Sequence, residues 1–489
     1  MVPPRAPSLG SRVRSFLRSG ESAVSPPRAR SRRGKSWGNL ATFGGLLGLA
    51  AALRLVGIEY GLPFGGLLNP DERSIVPRAW GMVHGAGLDP HWFDYPTLVM
   101  YVLAPFQAWE SGPSYLTARL VIAAFGIGAV AAAWWLGRAA YGRVAGLLAG
   151  AALAVETIGV AYSHMAVTDV PMTALIAVSL AMAVTGRLEW AGVAAGLAAS
   201  AKYPAVFLVA PLVVAGWGRW RRLVASVLLA IGAFLATSPF VLVHPHQAWS
   251  DATRVQRLAR QGWLGFEHDS FALFSFTGKL WEGLGPALAV SLIGLLLALR
   301  RRTRTDLILA VFVLAYVADL LTLRAHFDRY ILPLVPPLAA LAGRQRLLAP
   351  VTLGLLIVPL VWAIGDDVRL TRTDTRAVAQ RWIVSHVPFG STVAAESSTP
   401  PLRGYRIVGL ALPGPGRPFD PDRNVARLRT EGVGYAFVTG AIVDRVLAAR
   451  DRYSREARFY DDLRMQAKRV YHVQPGHGLA GPWVSVYRL

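Results

Sequence analysis

The chain has 489 residues, 53% of them hydrophobic and 16% charged, with a positive mean hydropathy. A soluble domain carries about 25% charged residues, so this balance excludes an ordinary cytosolic globular protein and points to the membrane. The net charge is +22, and the absence of cysteine removes disulfides and thiol chemistry from consideration.

Nine basic residues fall within the first 36 positions, against one acid, Glu21. This Pro/Ser/Arg-rich segment, 1–36, is predicted to be a disordered cytoplasmic tail lying against anionic headgroups. Its plainest role is to fix orientation. The apolar stretch from about Leu40 to Ile58 is long enough to span a bilayer. No small-residue cleavage site follows it, so it reads as a span rather than a cleaved leader.

The next polar segment, 59–115, holds Asn69-Pro70-Asp71-Glu72-Arg73, two adjacent carboxylates just beyond the first span. Further on comes an aromatic and proline-rich run, Asp89-Pro90-His91-Trp92-Phe93-Asp94-Tyr95-Pro96-Thr97-Leu98. Apolar spans then fall near 116–136, 144–162, 170–186, 190–218, 222–243, 286–299, 305–323, 331–343 and 347–364. Short Arg clusters separate them, and the positive-inside rule puts those clusters in the cytoplasm with the N-terminus. Two ambiguous stretches follow from that constraint. Residues 97–110 make roughly 21 Å of helix, short of the ~30 Å core, and read as an interfacial or re-entrant helix. The stretch 190–218, broken at Lys202-Tyr203-Pro204, reads as a hairpin of two short helices with Lys202 inside the membrane. About eleven spans result, over a domain of 37–365.

Residues 366–489 are different material, charged and with separate helix and strand patterns. Asp374 to Val387 and Ala441 to Arg452 read as helices; Thr392–Glu396, Gly434–Thr439 and Trp483–Tyr487 read as strands. The alternation predicts a small extracytoplasmic α/β domain. The fold class is thus a polytopic α-helical membrane protein of the cell membrane carrying that appendage.

Charges within or beside membrane segments are costly and each needs a reason. The outer side collects Asp71, Glu72, Asp94, His164, Asp169, Lys202, His244, His246, His326, Asp328 and Arg329. Such a set suits activation of a hydroxyl by one carboxylate while cationic groups hold an anionic leaving group. Each member also has a plain structural reading: Asp71 and Glu72 as a surface acidic pair, Asp169 as a helix start, Lys202 as a snorkelling cation, Asp328–Arg329 as a local pair. Adjacent positions on a helix diverge by about 100°, so Asp71 and Glu72 cannot share one role. Three carboxylates have the chemistry to hold a divalent metal, although no His/Asp spacing demands one.

The residues also carry a family likeness. Asn69-Pro70-Asp71-Glu72, Gly87-Leu88-Asp89-Pro90 and Tyr95-Pro96-Thr97-Leu98 with Tyr101 resemble the first loop of GT-C fold membrane glycosyltransferases. The branch is the protein O-mannosyltransferase and aminoarabinose transferase-like family (glycosyltransferase family 39-like). The likeness runs on through Tyr162-Ser163-His164, Asp169 and Gly196 to Lys202, and ends in Arg329-Tyr330-Ile331-Leu332-Pro333. It implies inverting transfer of a single sugar from a polyprenyl-phosphate donor to an acceptor hydroxyl outside the cytoplasm. By it Asp71 is the catalytic base, Glu72 its partner and Asp169 a second catalytic acid. Lys202, Arg329 and Tyr330 then bind the donor phosphate, while Asp94, Tyr95, His164 and His326 line the substrate site. That branch has an acid-Lys-Pro triplet where this chain has Asp94-Tyr95-Pro96, so a lipid A acceptor is not implied. The expected partners are the lipid-linked donor, a lipid, glycan or protein acceptor and membrane lipids, with no nucleic acid and no required cofactor. A polyprenyl-diphosphate oligosaccharide ligase or polymerase and a lipid or sugar transporter are the rival readings. A transporter should show two related halves, and none is visible.

Overall fold

Local chemistry sets where the helices begin and break. Ser114 caps the helix Tyr115–Tyr141 through the Thr117 amide at 3.4 Å. Thr303 and Asp306 form a capping box at the head of Arg304–Leu320. Gly142, at φ 95°, separates Tyr115–Tyr141 from Arg143–Val155 in a conformation that only glycine adopts without strain. The Glu156 carboxylate accepts from the Ile158 and Gly159 amides and restarts the chain as the short helix Thr157–Ser163. Glu156, given no role by sequence, is thus a helix cap within a bent span.

The computed structural model describes the backbone from Arg32 to Leu489 and side chains from Ala41 onward. All but the end of the tail expected over 1–36 therefore lies outside the described residues. Among the described residues, Tyr115–Tyr141, Trp220–Thr237 and Arg346–Leu370 are each long and apolar enough to cross a membrane. Two bent pairs raise the number to five: Arg143–Val155 with Thr157–Ser163, at 58°, and Ala272–Leu284 with Ala287–Arg301, at 118°. Shorter apolar helices, Ala41–Leu55, Leu98–Gln107, Asp169–Val184 and Tyr203–Gly216, occupy other stretches read as membrane-associated.

The break expected at Lys202 is present. Leu188–Ala201 ends there, Lys202 is extended, and a 3-10 turn, Tyr203–Leu208, leads into Val209–Gly216. Close packing of Leu188–Ala201 on Trp220–Thr237 depends on Gly192 and Gly196, where a Cβ would collide with the carbonyls of Ser226 and Ala230. Within 59–115 lie two helices, Glu72–Val83 and Leu98–Gln107, packed on each other and on Tyr115–Tyr141.

The last part of the chain is an α/β layer. Its five-stranded sheet runs in the order Arg406–Leu410, Thr392–Glu396, Tyr435–Thr439, Val484–Arg488, Lys468–Val473. The first three strands are parallel, with Val393 opposite both Ile407 and Tyr435, and Val484–Arg488 runs antiparallel to both of its neighbours. Alternation splits the side chains between two cores. Val393, Ala395 and Phe437 pack with Ala379 and Ile383 of the helix Thr375–His386. Ala394, Ala436 and Val438 pack with the helices Gly440–Ala448 and Ser454–Gln466 on the other face. The sequence reading located three of the strands and two of the helices. It missed the strands Arg406–Leu410 and Lys468–Val473 and the helices Val425–Thr430 and Ser454–Gln466.

Residues 45–489 form one compact unit. Arg73 joins its parts: the guanidinium donates to the Gly65 carbonyl in the first loop and to the Ser397 and Thr399 carbonyls of the α/β layer, at 2.9–3.0 Å. From the other side, Tyr453 donates to Glu267 at 2.6 Å.

Candidate active site

Asn69 and Pro70 set the entry to the helix Glu72–Val83. The Asn69 side chain accepts from the Asp71 amide at 3.0 Å, making an Asx turn, and Asp71 becomes the residue at the helix mouth. Its carboxylate does not cap that helix. Instead Asp71 Oδ2 accepts from the Tyr95 hydroxyl at 2.9 Å and from Arg329 Nη1 at 2.6 Å. Both bonds fall on one oxygen, and Oδ1 accepts from none of the described residues.

Burial alone would raise the Asp71 pKa, but Arg329, Lys202 and the Tyr95 hydrogen bond outweigh it and hold the carboxyl below its ordinary value. Burial pushes the Tyr95 phenol well above its usual range, and the Asp71 charge adds to this, so Tyr95 is a donor.

Lys202, freed by the break in its hairpin, turns to the same place. Its Nζ donates to Asp169 Oδ1 at 2.6 Å and lies 5.3 Å from the Tyr95 ring and 5.6 Å from the Tyr330 ring. Asp169 opens the helix Asp169–Val184 and is 1% exposed. The structure therefore brings Asp71, Tyr95, Asp169, Lys202, Arg329 and Tyr330 together from five separated parts of the sequence. Tyr162 buttresses the group: its hydroxyl donates to Asp328 Oδ1 at 2.7 Å, and the same oxygen accepts from the Arg329 amide at 2.8 Å. Asp169 Oδ2, Thr168 Oγ1 and Arg329 Nε are buried without a partner. Buried polar atoms are nearly always satisfied, so three orphans around one cluster mark a place for a polar ligand.

Other expected site residues are elsewhere engaged. Glu72, expected as the partner of Asp71, points away from it and is fully buried. Its oxygens accept from Arg119 Nε and Nη2 at 2.7 and 2.9 Å and from the Gly66 and Ala166 amides at 3.0 Å. Four protein donors engage both its oxygens, so it locks the loop. Arg119 was overlooked in the sequence, although a guanidinium in the first turn of an apolar span always requires a partner. Asp94 pairs with Arg254, and its burial raises its pKa against that partner. His164 is fully buried between the Val160 and Val56 carbonyls, at 2.9 and 2.8 Å, which makes it a packing residue. His326 bonds Asp269 at 2.9 Å and lines a cavity of about 890 Å³ between the helices and the α/β layer, with Trp263, Phe266 and Arg417. Phe327 packs its ring against Phe266 of that lining and lies 5.3 Å from the Arg329 guanidinium.

The fold, with this cluster of acids facing cations, defines the class: the chain has the GT-C fold of membrane glycosyltransferases. Residues 92–323 match the sequence model of glycosyltransferase family 87. The first-loop motifs had pointed to GT-C membrane glycosyltransferases, and this match and the solved structures support that class. Among solved structures, ArnT from Cupriavidus metallidurans in the apo state is 16% identical, with 93% of this chain and 98% of that one covered at a TM-score of 0.57. The same protein bound to undecaprenyl phosphate is 17% identical, with 94% and 98% covered and a TM-score of 0.55. Archaeal oligosaccharyltransferase AglB from Archaeoglobus fulgidus, in complex with an inhibitory peptide and a dolichol-phosphate, is 11% identical, with 92% and 74% covered and a TM-score of 0.54. At these identities the likeness is one of fold. No curated protein matches the sequence.

Proposed function

We propose that the protein is an inverting glycosyltransferase that moves one sugar from a polyprenyl-phosphate donor to an acceptor hydroxyl on the extracytoplasmic face of the cell membrane. The observation that carries this reading is Asp71, ionised and with Oδ1 free, beside the cationic groups Arg329 and Lys202 and the orphaned Arg329 Nε. The neighbour bound to undecaprenyl phosphate and the one with dolichol-phosphate support a lipid phosphate as the group those cations hold.

In this mechanism the donor phosphate draws Arg329 and Lys202 into charge-assisted contacts and releases Asp71 from its ion pair. Asp71 Oδ1 takes the proton of the acceptor hydroxyl. The hydroxyl oxygen attacks the anomeric carbon opposite the phosphate, the anomeric C–O bond breaks, and its electron pair leaves on the phosphate oxygen. A phosphate leaves readily, so no general acid is required. The arrangement of about eleven crossings, with the N-terminus cytoplasmic and 366–489 outside, belongs to the same proposal. It puts the Arg clusters on one side and Asp71 and Asp169 on the other.

Purified full-length protein in nanodiscs, given labelled polyprenyl-phosphate sugars and extracted envelope acceptors, tests this reading. Transfer of label to a new glycosidic bond is expected, with Asp71→Asn slower by roughly 10²–10⁴-fold. Turnover by Asp71→Asn equal to wild type would remove Asp71 as base. Transfer from a lipid diphosphate alone would favour a ligase or polymerase, and passage of label across vesicles without a new bond would favour transport.

A further inference from the structure

The aromatic run of the first loop holds a group that the sugar-transfer site does not use. Asp89, His91 and His244 each offer one ligand atom, and these atoms lie within 4.8 Å of one another. Asp89 Oδ2 sits 2.7 Å from His244 Nε2 and 3.5 Å from His91 Nδ1. Tetrahedral zinc with bonds of ~2.1 Å has its ligands about 3.4 Å apart, so small side-chain rotations open this triangle around an ion.

The surroundings are those of a held set of ligands. Asp89 Oδ1 accepts from the His91 amide at 3.0 Å, which fixes the carboxylate and leaves Oδ2 facing both rings. His91 adopts a left-handed backbone, φ 47°, uncommon for a residue other than glycine, and its ring comes within 5.7 Å of the His244 ring. Gln247 donates to the His91 carbonyl at 3.0 Å, and the Phe93 amide donates to Asp251 at 3.0 Å, so loop and helix are already in register. The His91 side chain is 70% exposed and that of His244 34%, which gives an ion a path in and water the fourth position.

We infer that Asp89, His91 and His244 form a structural site for zinc, or a first-row divalent ion of similar ligand preference, that pins the first loop to the head of the helix Pro245–Gln261. Two imidazoles and one carboxylate suit zinc and disfavour calcium or magnesium, which take oxygen ligands. The pinned segment leads within four residues to Tyr95, which bonds Asp71. The site lies apart from the reacting groups and stands or falls independently of the sugar-transfer proposal.

The test uses the full chain, purified without metal-affinity resin, stripped with chelator, incubated with zinc chloride and desalted, with metal content read by mass spectrometry. One zinc per chain is expected for wild type and for His246→Ala, which removes an exposed histidine on the same helix. His244→Ala and Asp89→Asn should retain less than a tenth of that. Zinc added to stripped wild type should raise the thermal midpoint and leave that of His244→Ala unmoved. Wild type that holds no zinc after desalting would overturn the site, as would equal zinc in His244→Ala. So would an equal thermal shift in wild type and His244→Ala.

Discussion

In the cluster around Asp71 the shape of each charged group matters as much as its charge. Arg329 offers a planar fork that fits a phosphate, and a lysine at that position presents a point charge on a flexible stem. Arg329→Lys is expected to raise the donor KM by about 10- to 100-fold, since two charge-assisted bonds become one. Steady-state kinetics against donor concentration read this directly, and an unchanged KM would place the phosphate elsewhere. The depressed Asp71 pKa gives a second expectation. Its folded-state value lies below the ordinary ~3.9, so the carboxylate is charged throughout the physiological range. The stability it contributes is present above its unfolded value and is lost as pH falls through the lower folded one. The profile of kcat/KM should therefore show no acid limb from Asp71 between pH 5 and 8, because this ratio reports the free enzyme. A limb in that window that Asp71→Glu displaces would contradict the ion pair with Arg329.

At the scale of elements, the hairpin around Lys202 does the positioning. Leu188–Ala201 approaches Trp220–Thr237 closely because glycine stands at 192 and 196, and this contact fixes where the hairpin breaks and hence where Lys202 points. Gly196→Val would force the two helices apart and move Lys202 from Asp169. The expected outcome is a folded but less stable protein with impaired donor binding, seen as a lower thermal midpoint and weaker polyprenyl-phosphate binding. Exposed Gly128, where a Cβ meets nothing, is the matched control: Gly128→Val should leave both readings unchanged.

At the scale of the molecule, the α/β layer is tied to the first loop and is not a separate appendage. Arg73, two residues beyond Asp71, holds Ser397 and Thr399. Arg73→Ala is expected to loosen that link, with faster hydrogen exchange in both the loop around Asp71 and the turn at 397–399. Transfer should slow while the cores of the sheet keep their protection. Exchange confined to 397–399 would mean that the layer does not brace the site.

Much of this molecule was legible in the chain alone. Hydropathy runs marked most of the helices, because apolar length is a local property. The break at Lys202-Tyr203-Pro204 and the helix capped by Asp374 were legible for the same reason. Costly charges beside apolar runs picked out Asp71, Asp169, Lys202 and Arg329. Which charge meets which was decided only by the tertiary structure. Asp71 and Glu72 look alike as neighbours, yet the helix sends one to Arg329 and the other to Arg119. His164 and His326 share the chemistry of the site but are consumed by carbonyls and by Asp269. Sequence limits the groups a chain can offer at each position. Their partners are chosen when packing brings distant segments together and leaves each buried charge to find the nearest group able to satisfy it.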